Sequence, residues 1–243
     1  MDLQSIVIAV IGLTLAGVIK GATGLGYTSC ALPFLVIAMG LKPAMIVVLL
    51  PALATNIGVA VSAGHFEDSL RRFKVLYLGM VPGIAVGVNM LVWVPQAVAV
   101  KVLGCTIVAY VVLALSRPRM SLAPSLEAPL QLPTGFLNGL LTGLTGAQVM
   151  PLFPYVMSLN LDTDRTVQAI NIAVLLSTLI LAAGLATAGF MTSDLLVLSL
   201  IGVAPAMLGV AVGNSVRRHI PHERYKSYAL ATLLLMGAMM LAR

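Results

Sequence analysis

The chain has 243 residues, of which 60% are hydrophobic and only 9% charged, with a mean hydropathy of +1.05. A soluble globular chain is roughly 25% charged. Too little charge is present to cover a water-facing surface, so most of the exterior must face lipid. The net charge of +6 comes from Lys and Arg in the gaps between apolar runs, and no basic patch is interleaved with stacking aromatics, so nucleic acid is excluded as a partner.

Apolar runs punctuated by Gly, Pro and charge predict ten segments, near 3–20, 24–40, 43–63, 75–92, 96–115, 130–145, 147–160, 165–188, 194–214 and 222–241. A spanning helix needs about 20 residues. Most segments qualify, while the second, sixth and seventh are short. The first run has no Lys or Arg before it, unlike a cleavable signal peptide. Residues 116–129 form the one sizeable polar connection. It divides the chain into a first membrane repeat (1–115), a cytoplasmic linker (116–129) and a second membrane repeat (130–243). Cys30 and Cys105 both fall inside apolar runs and read as small buried thiols.

The halves echo each other. GVIKGATGLG, from Gly17 to Gly26, and GLLTGLTGAQ, from Gly139 to Gln148, both read G-x-x-x-G-x-T-G. Each then reaches a Pro-aromatic pair, Pro33-Phe34 or Pro154-Tyr155. Further along, Gly64-His65-Phe66 matches Ala188-Gly189-Phe190, Pro82 matches Pro205, and Trp93-Val94-Pro95 matches His219-Ile220-Pro221. Charge gives the relation between the halves. With ten crossings, eleven Lys and Arg fall in one set of loops, including Lys20, Arg71, Arg72, Arg117, Arg119, Arg217 and Arg218. Lys42 and Arg243 fall in the other, and Lys101 lies within a segment. The positive-inside bias puts the eleven in the cytoplasm and both termini outside. Equivalent loops carry opposite charge, so the repeats are inverted, as in secondary transporters.

Each G-x-x-x-G-x-T-G falls at the start of a half, where its glycines weaken a continuous helix. A helix–break–helix hairpin is the expected form. Irregular backbone at membrane depth is tolerated where it lines a cavity or is buried in protein. The helix N-terminus after each break offers free N–H groups to an anion. The candidate binding residues are therefore Lys20, Thr23, Gly24, Leu25, Gly26, Tyr27 and Thr28 at the first break. Thr145, Gly146, Ala147 and Gln148 are their counterparts at the second. Asn56, Asn171 and Ser177 add polar groups from neighbouring segments. Structural readings stand beside the functional ones. The glycines also permit tight helix packing, and intramembrane amides also tie helices together. Lys20 could instead snorkel to the interface. The glycines at 79, 83, 87, 209 and 213 lack polar company and read as packing positions.

No Asp or Glu lies inside an apolar run, where cation pumps usually place them, so the substrate is expected to be an anion. No H-E-x-x-H or G-x-S-x-G motif is present, and the three histidines are in loops, which argues against an enzyme. No cofactor, metal or catalytic residue is called for.

The paired G-x-x-x-G-x-T-G breaks, with LPFLVIAMGLKPAMI after the first, resemble the sulfite exporter TauE/SafE family of permeases over nearly the whole chain. That resemblance implies a bacterial inner-membrane carrier of sulfite, organosulfonates and similar sulfur-containing anions, and the segments themselves predict an all-helical fold of two inverted five-segment repeats with about 8–10 membrane helices. An anion channel or a membrane subunit of a larger complex is the alternative, and a homodimer is left open. The second half departs from the first at Ala147-Gln148, where Leu25-Gly26 stands, so the halves need not contribute equally.

Overall fold

The computed structural model describes residues 3–62, 65–116, 121–217 and 222–242, and every described element is helical. Arg117, Arg119, Arg218 and Arg243 of the charge tally, with Gly64 and His219–Pro221 of the repeat matches, lie outside the described residues. The first half comprises α1 (Leu3–Thr23), α2 (Tyr27–Met39), α3 (Leu41–Val47), α4 (Leu49–Ser62), α5 (Phe66–Arg72), α6 (Lys74–Trp93) and α7 (Gln96–Ser116). The second comprises α8 (Pro124–Thr145), α9 (Leu152–Met157), α10 (Thr163–Thr187), α11 (Ser193–Arg217) and α12 (His222–Leu241).

Among the described residues six helices are long and apolar enough to cross a membrane: α1, α3 continued into α4 as far as Gly58, α6, α7, α10, and α11 as far as Ser215. Apolar side chains such as Leu78, Leu200 and Leu208 are about two-thirds exposed. Lys20, Asn56, Gln148 and Asn171 are buried. This distribution is inverted relative to a soluble protein and suits a lipid exterior around a polar interior. The chain is a multi-pass membrane protein.

Two glycine-lined seams set the packing. In α6 against α8, a Cβ at Gly83 or Gly87 would overlap the Phe136 or Leu140 carbonyl. One at Gly139 or Gly143 would overlap that of Met80 or Ile84. In α1 against α11, Gly17 and Gly21 abut the Ala206 and Val210 carbonyls, and Gly209 and Gly213 abut those of Thr14 and Val18. Only a hydrogen at these positions lets the backbones meet. Elsewhere α7 packs on α12, and α10 on both α4 and α6. Exchanging the halves maps the α1–α11 seam onto the α8–α6 seam, and α7–α12 and α4–α10 onto themselves.

The structure moves several predicted boundaries. The third segment is two helices meeting at Val48. Residues 66–72, expected as loop, form α5, with Glu67 and Asp68 in its first turn and Arg71 and Arg72 in its last, as the helix dipole prefers. The sixth segment starts early, since α8 begins at Pro124 inside the expected linker, where proline suits a first turn. The seventh shrinks to the six residues of α9, because Pro151 keeps the residues before it out of helix. Cys105 is exposed on α7 and only Cys30 is buried.

Candidate functional site

The shared motif divides in the fold. Its first two glycines, Gly17 and Gly21 or Gly139 and Gly143, belong to the packing seams. Its last glycine makes the break. Gly24 and Gly146 have φ of 78° and 77°, a left-handed conformation that glycine adopts without strain. Gly24 N–H donates to the Lys20 carbonyl at 2.7 Å, and Gly146 N–H to that of Thr142 at 2.8 Å. Thr23 Oγ1 donates to Ile19 O at 2.8 Å and accepts from Leu25 N–H at 3.2 Å. Thr145 Oγ1 donates to Leu141 O at 2.6 Å and accepts from Ala147 N–H at 3.2 Å. Both hydroxyls are thus engaged in shaping the break, not presented to a ligand.

Beyond this point the halves diverge. A second left-handed residue, Gly26 at φ 83°, leads straight into α2. No side chain caps that helix, so the N–H groups of its first turn are left for another partner. After Gly146 the chain stays non-helical through Gln148 and reaches α9 only at Leu152. The expected second helix N-terminus at the break is therefore absent.

A cavity lies at the first break. It is lined by Lys20 of α1, by Leu25, Gly26, Tyr27, Thr28 and Ser29 leading into α2, and by Asn56 of α4. The other half contributes Gln148, Phe153, and Ile170, Asn171 and Val174 of α10. Eight of the predicted residues meet there. Thr23, Gly24, Thr145, Gly146, Ala147 and Ser177 do not line it. Thr145, Gly146 and Ala147 pack behind the second break, and Ser177 Oγ bonds back to Ala173 O at 2.7 Å. Phe153, Ile170 and Val174 escaped the sequence reading because an apolar residue in an apolar chain carries no signal.

Lys20 is only 2% exposed, which is not the placement of a snorkelling side chain. Its Nζ donates to Asn56 Oδ1 at 2.6 Å and to Asn171 Oδ1 at 2.5 Å. Both amides are locked in that orientation. Asn56 Nδ2 donates to Ala52 O and Asn171 Nδ2 to Val167 O, each at 2.7 Å, and Asn171 Nδ2 also reaches Gly24 O at 3.4 Å. Among the described residues no carboxylate pairs with Lys20; the four ion pairs involve His65, Arg71, Arg72 and Arg165. Amide oxygens solvate an ammonium but do not neutralise it.

Three further polar atoms of the cavity are buried without a hydrogen-bond partner: Tyr27 Oη, Thr28 Oγ1 and Gln148 Oε1. Such groups are rare in folded proteins, because leaving them unpaired is costly. Two are hydroxyls able to donate to an anion. The free space at the centre is small, about 10 Å³, enough for one water molecule.

The structure is thus a helical multi-pass membrane protein with a buried lysine between its halves and no described carboxylate beside it. The family model of the sulfite exporter TauE/SafE matches residues 8–240, and the chain belongs to that family. It is a family of membrane transporters and not of enzymes. No curated protein and no solved structure matches the chain.

Proposed function

We propose that this protein carries sulfite or organosulfonate anions across a bacterial inner membrane by alternating access, with the Lys20 cavity as its substrate site. The observation that carries this reading is the placement of the Lys20 side chain. It is buried, held by two amide oxygens, and has no described carboxylate partner. An ion at that depth is costly unless something of opposite charge joins it. The unpaired Tyr27 and Thr28 hydroxyls and the first turn of α2 would complete the coordination of an oxyanion.

The two halves are read as inverted repeats, with both termini periplasmic and Arg71 cytoplasmic. The exchange pattern of the helix seams supports a twofold relation, and the sided charge supports inversion. The cavity draws on both halves, as a site at a repeat interface does. A sulfur oxyanion is larger than the space now free, so binding requires the walls around Lys20 to part. That movement couples occupancy of the site to rocking of one half against the other.

The test is uptake of labelled sulfite and taurine into vesicles containing the purified protein. A carrier gives saturable flux and counterflow. Flux that rises linearly with concentration and shows no counterflow would refute the carrier, and no flux of any sulfur oxyanion would refute the substrate class.

A further inference from the structure

We infer that the Lys20 cavity selects by charge state, accepting sulfur oxyanion groups with one negative charge, a sulfonate or hydrogensulfite, and rejecting those with two. This rests on the anion-carrier reading above. Among the described residues Lys20 is the only cation lining the cavity. Facing that single charge are the oxygens of three amides. Asn56 and Asn171 present theirs to Nζ because their nitrogens are committed to main-chain carbonyls. Gln148 Nε2 is committed to Thr178 Oγ1 at 3.0 Å, which leaves its buried Oε1 on the cavity.

The favourable groups therefore amount to the one Lys20 charge, the unpartnered Tyr27 and Thr28 hydroxyls with that of Ser29 beside them, and the N-terminus of α2 with about half a charge. A singly charged ligand beside Lys20 forms a neutral pair. A doubly charged one leaves negative charge uncancelled next to amide oxygens, in surroundings where it is far less well solvated than in water. The remaining wall is apolar, from Leu25, Phe153, Ile170 and Val174. A carbon substituent there loses nothing, whereas a fourth charged oxygen forfeits its hydration.

Three tetrahedral probes of similar size separate charge from shape: dimethyl sulfone, methanesulfonate and sulfate, with no charge, one and two. Their affinities are to be measured by calorimetry on the full-length protein in detergent, at one pH and one ionic strength. Methanesulfonate should bind at least about tenfold more tightly than either of the others, a difference of about 1.4 kcal/mol. Sulfate binding as tightly as methanesulfonate overturns the charge-state inference and leaves an anion site standing. Failure of all three, and of sulfite and taurine, overturns the anion-carrier reading itself. Lys20→Gln should bring the sulfone and methanesulfonate within about threefold of each other; a preference that persists would assign the selection elsewhere. Tyr27→Phe is a milder change that keeps the charge. It should weaken both anions and preserve their ratio, and a collapsed ratio would place the selection on the hydroxyls, against the proposal.

Discussion

Replacing Lys20 by Met keeps the length of the side chain and removes its charge. Removing one member of a buried, hydrogen-bonded charge pair costs roughly 2–5 kcal/mol of binding. That is roughly a 30-fold to 4,000-fold rise in Kd for the transported anion. The same change acts on the fold in two opposing directions. Asn56 Oδ1 and Asn171 Oδ1 lose their donor, at about 1–3 kcal/mol each, while the expense of holding an ammonium away from water disappears. Stability should therefore change less than affinity does. The measurements are anion binding by calorimetry and flux in vesicles, with the melting temperature recorded on the same preparation. Lys101→Ala is the control, since Lys101 is exposed on α7, and its Kd should stay within about twofold of the parent. Lys20→Arg should fall between, because a planar guanidinium cannot reproduce an ammonium set between two amide oxygens. Lys20→Met binding within about threefold of the parent, or Lys101→Ala losing as much, would refute the placement of the site.

The other expectations concern the scaffold. Thr23→Val and Thr145→Val should each lower stability by about 1 kcal/mol, because each hydroxyl bonds within its own break. Anion affinity should hardly move, and a large loss of affinity with unchanged melting would show that the hydroxyls serve the ligand. Gly24→Ala and Gly146→Ala should both be strained at positive φ by about 1–2 kcal/mol. Gly146→Ala should be the worse in thermal melting, since its Cβ would lie 3.0 Å from Met45 Cγ whereas that of Gly24 meets nothing closer than 3.6 Å. Gly83→Val and Gly209→Val should prevent folding, read as loss of the monodisperse peak in size exclusion, because each drives a side chain into a facing carbonyl. Cysteines placed at Arg71 and Lys42 should label from opposite faces of the membrane; both labelling from outside would end the inverted arrangement.

The membrane character and the transporter family were legible in the sequence, because both leave marks that lipid enforces strongly. Charge is expelled from runs, backbone breaks are kept for places that shelter them, and a Lys bordering such a break needs a reason to be there. What stayed hidden was the division of labour within G-x-x-x-G-x-T-G. Packing and break glycines share one spacing, and only the facing carbonyls of α11 and α6 tell them apart. The hydroxyls of Thr23 and Thr145 were equally ambiguous, since a threonine beside a break can point at a ligand or fold back on the main chain. The start of α8 at Pro124 was hidden for another reason. Its first turn is polar, and Glu127 accepts a bidentate pair from Arg72 at 2.7 and 2.9 Å, a contact made by tertiary structure that hydropathy cannot see. That carboxylate holds the Arg72 guanidinium above its already high ordinary pKa, so alkaline pH will not release the tie between α5 and α8.

The two breaks match in backbone geometry at Gly24 and Gly146, yet the polar cavity lies at one of them. The residue corresponding to Lys20 is Thr142, whose hydroxyl donates to Ala147 O at 3.1 Å and closes the second break on itself. The residue corresponding to Gly26 is Gln148, which turns from the second break toward the first cavity and α10. Asn171, from the second half, likewise serves Lys20 of the first. Among the described residues, the second half thus supplies one wall of the Lys20 cavity, while its own break is closed by a hydroxyl. On the proposed carrier reading, a twofold scaffold would give two arrangements of similar energy to switch between, while two equivalent cations at its centre would repel each other. One Lys and one closed break would keep the switch and leave a single charge to be matched by a single anion.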